Sequence, residues 1–93
     1  MIKVRFNLTI QDYYDYVGTN PYYDLRRRVI NSIPLELRKG YNLKYKWLKK
    51  EYRRMYRVHI TIKVMNESQI PNLEEQYKLC CWQPSNISWK IIN

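Results

Sequence analysis

From Ile2 to Ile10 the chain alternates without a break. Ile2, Val4, Phe6, Leu8 and Ile10 stand against Lys3, Arg5, Asn7 and Thr9. Strict period two marks a strand with one face on a core and the other in water. A polar, tyrosine-rich loop is expected to follow, through Gly18, Thr19 and Asn20. Asn20-Pro21 then has the order of a helix start, asparagine at the cap and proline in the first turn. Tyr22, Leu25, Val29 and Ile33 fall on one face at helical spacing, with Asp24, Arg27, Arg28 and Asn31 on the other. Pro34 should stop this helix. Leu35 to Lys39 then reads as a short turn closed by Gly40.

Between Tyr41 and Val64 two periodicities compete. Tyr56, Val58, Ile60, Ile62 and Val64 alternate with Arg57, His59, Thr61 and Lys63, which predicts a strand over 56–65. Ahead of it Leu43, Tyr45 and Trp47 alternate with Lys44 and Lys46, giving a second strand and a hairpin around Lys49-Lys50-Glu51-Tyr52. The same stretch also carries a helical stripe, Tyr41, Tyr45, Leu48, Tyr52 and Met55, and no Gly, Asn or Pro marks the turn. The density of aromatic residues and the continuity into the next strand favour the hairpin.

A second helix fits Asn72 to Trp82, with Asn72 and Glu75 spaced as a capping-box variant and Leu73, Tyr77, Cys80 and Cys81 on one face. Pro84 ends it, and Ile87-Ser88-Trp89-Lys90-Ile91 alternates again as a last strand. The order is βαββαβ. That predicts one α+β domain over residues 1–93, a four-stranded antiparallel sheet with two helices on one face, ferredoxin-like. A chain of this size has a thin core, so a homodimer is expected.

Charge changes this picture from a fold into a surface. The chain carries +9, and nine basic residues lie between Arg38 and Arg57: Arg38, Lys39, Lys44, Lys46, Lys49, Lys50, Arg53, Arg54 and Arg57. With Glu51 as the only acid there, this segment holds +8 and the rest of the chain +1. Tyr41, Tyr45, Trp47, Tyr52 and Tyr56 are interleaved with the bases. Cations neutralise phosphates and aromatic faces stack on unpaired bases, so the mixture suits DNA or RNA. The outward strand positions extend it: Lys3, Arg5, Lys44, Lys46, Arg57, His59, Lys63 and Lys90 should share the sheet face left open by the helices. The expected phosphate contacts are Lys44, Lys46, Lys49, Lys50, Arg53, Arg54 and Arg57, with Trp47 and Tyr52 as stacking or anchor residues. RNA-recognition modules carry Lys/Arg-Gly-Phe/Tyr and outward aromatics on a central strand. Here Arg57-Val58-His59-Ile60-Thr61-Ile62 has no glycine and no outward aromatic, so the comparison reaches architecture only and backbone-dominated binding is expected. The alternative is a protein-binding surface, an inhibitor or assembly factor anchored by Tyr, Trp and Arg.

Other chemistry is sparse. His59 is the sole histidine and Gly18 and Gly40 the sole glycines, so no His-centred triad or Gly-rich phosphate loop is advertised. Asp12, Asp15 and Asp24 are the best candidates for a divalent metal and phosphodiester hydrolysis, but acids there also suit a loop and a helix start. The expectation is a protein without catalysis, metal or cofactor. Cys80-Cys81 are adjacent, which disfavours a mutual disulfide, and four zinc ligands are not at hand. Three Asn-x-Ser/Thr sequons, at Asn7, Asn66 and Asn86, are read as chance. The longest uncharged run, Leu79 to Trp89, is eleven residues, too short to cross a bilayer. The opening Met1-Ile2-Lys3-Val4-Arg5 lacks the pattern of a signal peptide. A soluble, cytoplasmic protein is expected, in a host cell if viral. Residues with AT-rich codons (Phe, Tyr, Met, Ile, Asn and Lys) number 41 against 14 Gly, Ala, Arg and Pro, a ratio that points to an AT-rich genome, and a short basic chain from such a genome to a virus or plasmid.

Overall fold

The computed structural model describes residues 1–13, 21–49, 53–79 and 84–92. Six main elements follow the expected order: β1 (Ile2–Tyr13), α1 (Pro21–Ser32), β2 (Asn42–Lys49), β3 (Arg53–Val64), α2 (Ile70–Lys78) and β4 (Asn86–Ile91). The four strands form one antiparallel sheet in the order β2-β3-β1-β4. That is the ferredoxin-like arrangement, with β1 and β3 at the centre and both helices on one face.

The alternating sequence becomes a two-sided sheet because successive residues point to opposite faces. Val4, Phe6, Leu8 and Ile10 from β1, and Tyr56, Val58, Ile60, Ile62 and Val64 from β3, are buried. Leu25, Val29 and Ile33 cover them from the α1 segment, and Ile70, Leu73 and Tyr77 from α2. Each such side chain contributes about 1.5–3 kcal/mol on leaving water. The centre of stability is therefore the β1–β3 pair under the helices. Among the side chains described on the edge strands, Leu43 from β2 and Ile87 and Trp89 from β4 add half-buried groups.

The hairpin reading of 41–64 holds. Leu43 pairs with Ile60, Tyr45 with Val58 and Trp47 with Tyr56, with an irregularity between Trp47 and Lys49. The competing helical stripe loses because β2 completes a ladder whose partner strand is already fixed in register by β1. Both central strands outrun the sequence estimate. β1 continues to Tyr13 and β3 begins at Arg53, because Gln11, Asp12 and Tyr13 pair with Met55, Arg54 and Arg53. Pro34 follows the end of α1, and Leu35–Gly40 forms a 3-10 turn as expected.

The start of the second helix requires a correction. Asn72 is not its cap. A 3-10 turn, Glu67–Gln69, leads into α2, and the capping-box pair is Asn66 with Gln69. Gln69 Oε1 accepts hydrogen bonds from the backbone N–H of Met65 (2.7 Å) and of Asn66 (3.2 Å). Pro71 falls in the first turn of α2, where a missing N–H costs nothing, and Asn72 is already inside the helix. Cys80, Cys81 and Trp82 lie outside the described residues. Among the described residues, no helix is long and apolar enough to cross a membrane.

Candidate nucleic-acid interface

The register fixes which side chains share the uncovered face. Reading across the sheet from β2 to β4, one row is Lys44, His59, Asn7 and Ser88. The next is Asn42, Thr61, Arg5 and Lys90, and on the other side lie Lys46, Arg57, Thr9 and Asn86. Lys3 opposes Lys63 at the near end. Seven Lys/Arg side chains and one imidazole thus lie among neutral hydrogen-bonding groups. None of these outward positions is acidic. The four acids whose side chains are described, Glu36, Glu67, Glu74 and Glu75, belong to the helical layer and its turns.

Among the described residues, two hollows mark this face. One, of about 440 Å³, lies where the 3-10 turn meets the sheet and is lined by Lys3, Arg5, Lys39, Gly40, Tyr41, Asn42, Lys44, His59 and Thr61. The other, of about 410 Å³, lies toward β4 and is lined by Arg5, Asn7, Thr9, Arg57, His59, Asn86, Ser88 and Lys90. Arg5 and His59 belong to both, so they form the divide between them. Partial burial and the positive charges of Arg5 and Arg57 hold the His59 pKa below its usual value.

Of the expected contacts, Lys44, Lys46 and Arg57 stand together on the open face, exposed. Lys49, Arg53 and Arg54 lie on the strands flanking the hairpin bend, with Arg53 and Arg54 in register with Tyr13 and Asp12. Trp47 holds the register position across from Tyr56. Lys50 and Tyr52 lie outside the described residues, as does Asp15. Among the described residues, no three His, Cys, Asp or Glu gather as a metal site. Sequence reasoning missed the hollow beside the 3-10 turn. Lys39 was visible only as one base in a run, because no periodicity signals a turn folding over a sheet edge.

The turn is well anchored. The Leu37 N–H donates to Pro34 O at 2.9 Å, and Arg38 Nε donates to Ile33 O at 3.0 Å. Leu37 and Tyr41 pack against the core on either side of Lys39. Lys63 lays its aliphatic stem over Gly40, where a Cβ would come within 3.7 Å of Lys63 Cδ.

No protein-family model matches this chain, and no curated protein matches it. Solved structures with a similar fold include the C-terminal domain of the MgtC protein from Mycobacterium tuberculosis. It superposes with a TM-score of 0.55 at 6% identity, over 98% of this chain and 87% of that one. The hypothetical protein ORF119 from Sulfolobus islandicus rod-shaped virus 1 superposes with a TM-score of 0.53 at 14% identity, over 98% of this chain and 68% of that one. At such identities the likeness is one of fold.

Proposed function

We propose that this chain binds DNA or RNA without catalysing a reaction, through contacts between the open sheet face and the sugar-phosphate backbone. The observation that carries the reading is the sign of that face: seven Lys/Arg side chains from all four strands with no acid at an outward position. Asn, Ser and Thr between the cations supply uncharged hydrogen bonds to phosphate and sugar oxygens. In this reading the hairpin bases Lys49, Lys50, Arg53 and Arg54 also contact phosphate, with Trp47 and Tyr52 as stacking or anchor residues. A homodimer and a virus- or plasmid-borne origin belong to the same reading.

Fluorescence anisotropy of labelled single- and double-stranded DNA and RNA at two salt concentrations tests it. The expected result is micromolar or tighter binding that weakens steeply with salt. Loss of that binding in a Lys49/Lys50/Arg53/Arg54→Ala variant places the hairpin in the interface. Absence of binding at low salt overturns the reading and leaves a protein partner, held by Tyr and Trp anchors, as its successor.

A further inference from the structure

We propose that four uncharged side chains on the open face, Asn7, Thr9, Asn86 and Ser88, form a seat for the ribose 2′-hydroxyl, so that the surface selects RNA over DNA. The proposal rests on the nucleic-acid reading above and deepens it from the charge of the backbone to its sugar.

The seat is built from two of the Asn-x-Ser/Thr triplets in the sequence, Asn7-Leu8-Thr9 and Asn86-Ile87-Ser88. In a strand, residues two apart share a face, so each triplet turns one amide and one hydroxyl outward. β1 and β4 run antiparallel in a register that sets Asn7 against Ser88 and Thr9 against Asn86. Each amide position therefore opposes a hydroxyl position across the ladder. The four form a square of about 5 Å by 7 Å at the backbone. The third triplet, Asn66-Glu67-Ser68, has a separate task, since Asn66 belongs to the capping box before α2.

All four side chains line the hollow of about 410 Å³ toward β4. Arg57 borders the square beside Thr9, and the opposed pair Arg5 and Lys90 closes the end next to Asn7 and Ser88. Charge thus stands at the margins and uncharged hydrogen-bonding capacity between them. A nucleic-acid strand has the same order along its backbone: phosphate, sugar, phosphate. Phosphates held by Arg57 and by the Arg5–Lys90 pair bring the sugar between them over the square. An amide both donates and accepts, and a hydroxyl does either. The 2′-hydroxyl is likewise donor and acceptor, and it is the group by which a protein tells RNA from DNA at a given site. Deoxyribose puts a C–H there, so groups that lose their water to the sugar go unmatched. Asn7 and Thr9 are half-buried on a central strand, which fixes the square before any ligand arrives.

The test compares three labelled single strands of equal length and identical base: oligo-uridylate, oligo-deoxyuridylate and 2′-fluoro oligo-uridylate. The last keeps an RNA-like sugar pucker without the hydroxyl proton. Oligo-uridylate is expected to bind about ten-fold more tightly than either of the others. An Asn7→Ala/Ser88→Ala variant should lose that preference and keep the salt slope, because neutral side chains release no counterions. A Lys44→Ala/Lys46→Ala variant should weaken all three strands, reduce the salt slope by about 0.7 per lost contact and keep the preference. Thermal melting checks the folding of both, and Ser88→Ala alone, at an exposed position, replaces the first variant if that one melts early. Equal binding of the three strands, a 2′-fluoro strand that matches RNA, or a preference that survives in the Asn7/Ser88 variant overturns the seat and leaves backbone binding standing. Absence of binding by all three at low salt overturns the backbone reading, and the seat with it.

Discussion

Tyr77 meets Phe6 edge-on beneath the sheet, with ring centroids 5.0 Å apart and planes at 87°, and its hydroxyl shares a 3.0 Å hydrogen bond with Ser32 Oγ. One side chain thus joins α2 to the central strand and to the end of α1. The Ser32 hydroxyl in turn donates to Val29 O at 2.8 Å. Tyr77→Phe keeps the ring contact and removes the hydroxyl. It should cost about 1 kcal/mol, and Tyr77→Ala about 3–5 kcal/mol, read from urea unfolding midpoints.

Burial of Tyr77 also predicts a pH dependence. Its pKa is pushed up from 10.0 to about 12, burial being the main cause, with the Ser32 hydrogen bond opposing it. The folded state keeps the phenolic proton that the unfolded state releases above about pH 10. Its contribution is complete below that pH and is lost as pH rises from about 10 to about 12. Unfolding curves across this window should show wild type losing roughly 2–3 kcal/mol more than Tyr77→Phe. Parallel curves for the two proteins would remove the assignment.

Trp89 Nε1 donates to Glu74 Oε2 at 2.6 Å, tying edge strand β4 to α2, and Lys78 holds the other oxygen at 3.2 Å. Glu74→Gln weakens a charge-assisted bond to a neutral one and should lower stability by about 1 kcal/mol. The indole N–H resonance of Trp89 should shift with it. An unchanged resonance would show the bond absent in solution.

Gln69→Ala removes an acceptor that serves the N–H groups of Met65 and Asn66. The expected loss is about 1 kcal/mol. Glu75→Ala, at the position that the sequence pattern favours as cap partner, should stay within about 0.5 kcal/mol, since its side chain is exposed and pairs with the exposed Lys78. Thermal melting of the two variants separates the two cap assignments.

His59 sits among Arg5, Lys44 and Arg57, and partial burial first, then the positive field of the two arginines, keep its pKa below the usual value. Bound phosphate reverses that field, so binding takes up a proton. Affinity for RNA should rise as pH falls from about 8 to about 6. His59→Gln should flatten this profile, and an equally steep profile in the variant would exclude the imidazole as its source.

What the sequence made legible follows from which signals are local. The inward and outward rows of β1 and β3 could be read because alternation is a property of neighbouring residues. Lys44, Lys46, Arg57 and Lys90 were accordingly placed together on one face. Three features escaped for the opposite reason. Asp12 and Tyr13 look like loop residues until Arg54 and Arg53 pair with them. The cap at Asn66 was hidden by Asn72, a better-looking residue in the wrong place relative to Pro71. The hollow beside Lys39 lies next to Leu37 and Tyr41, half-buried against the core, a packing that no local pattern announces.

The position of β1 in the sheet has a consequence for how the protein is made. Ile2 finds its ladder partner in Val64, and the other flank of β1 waits for β4. The centre of the sheet therefore forms only after the β2–β3 hairpin has left the ribosome. Until then a strand of five large apolar residues is synthesised with neither neighbour present. The cations at Lys3 and Arg5 repel like strands on other nascent chains during that interval. The charges that line the open face of the finished protein also guard the unfinished one.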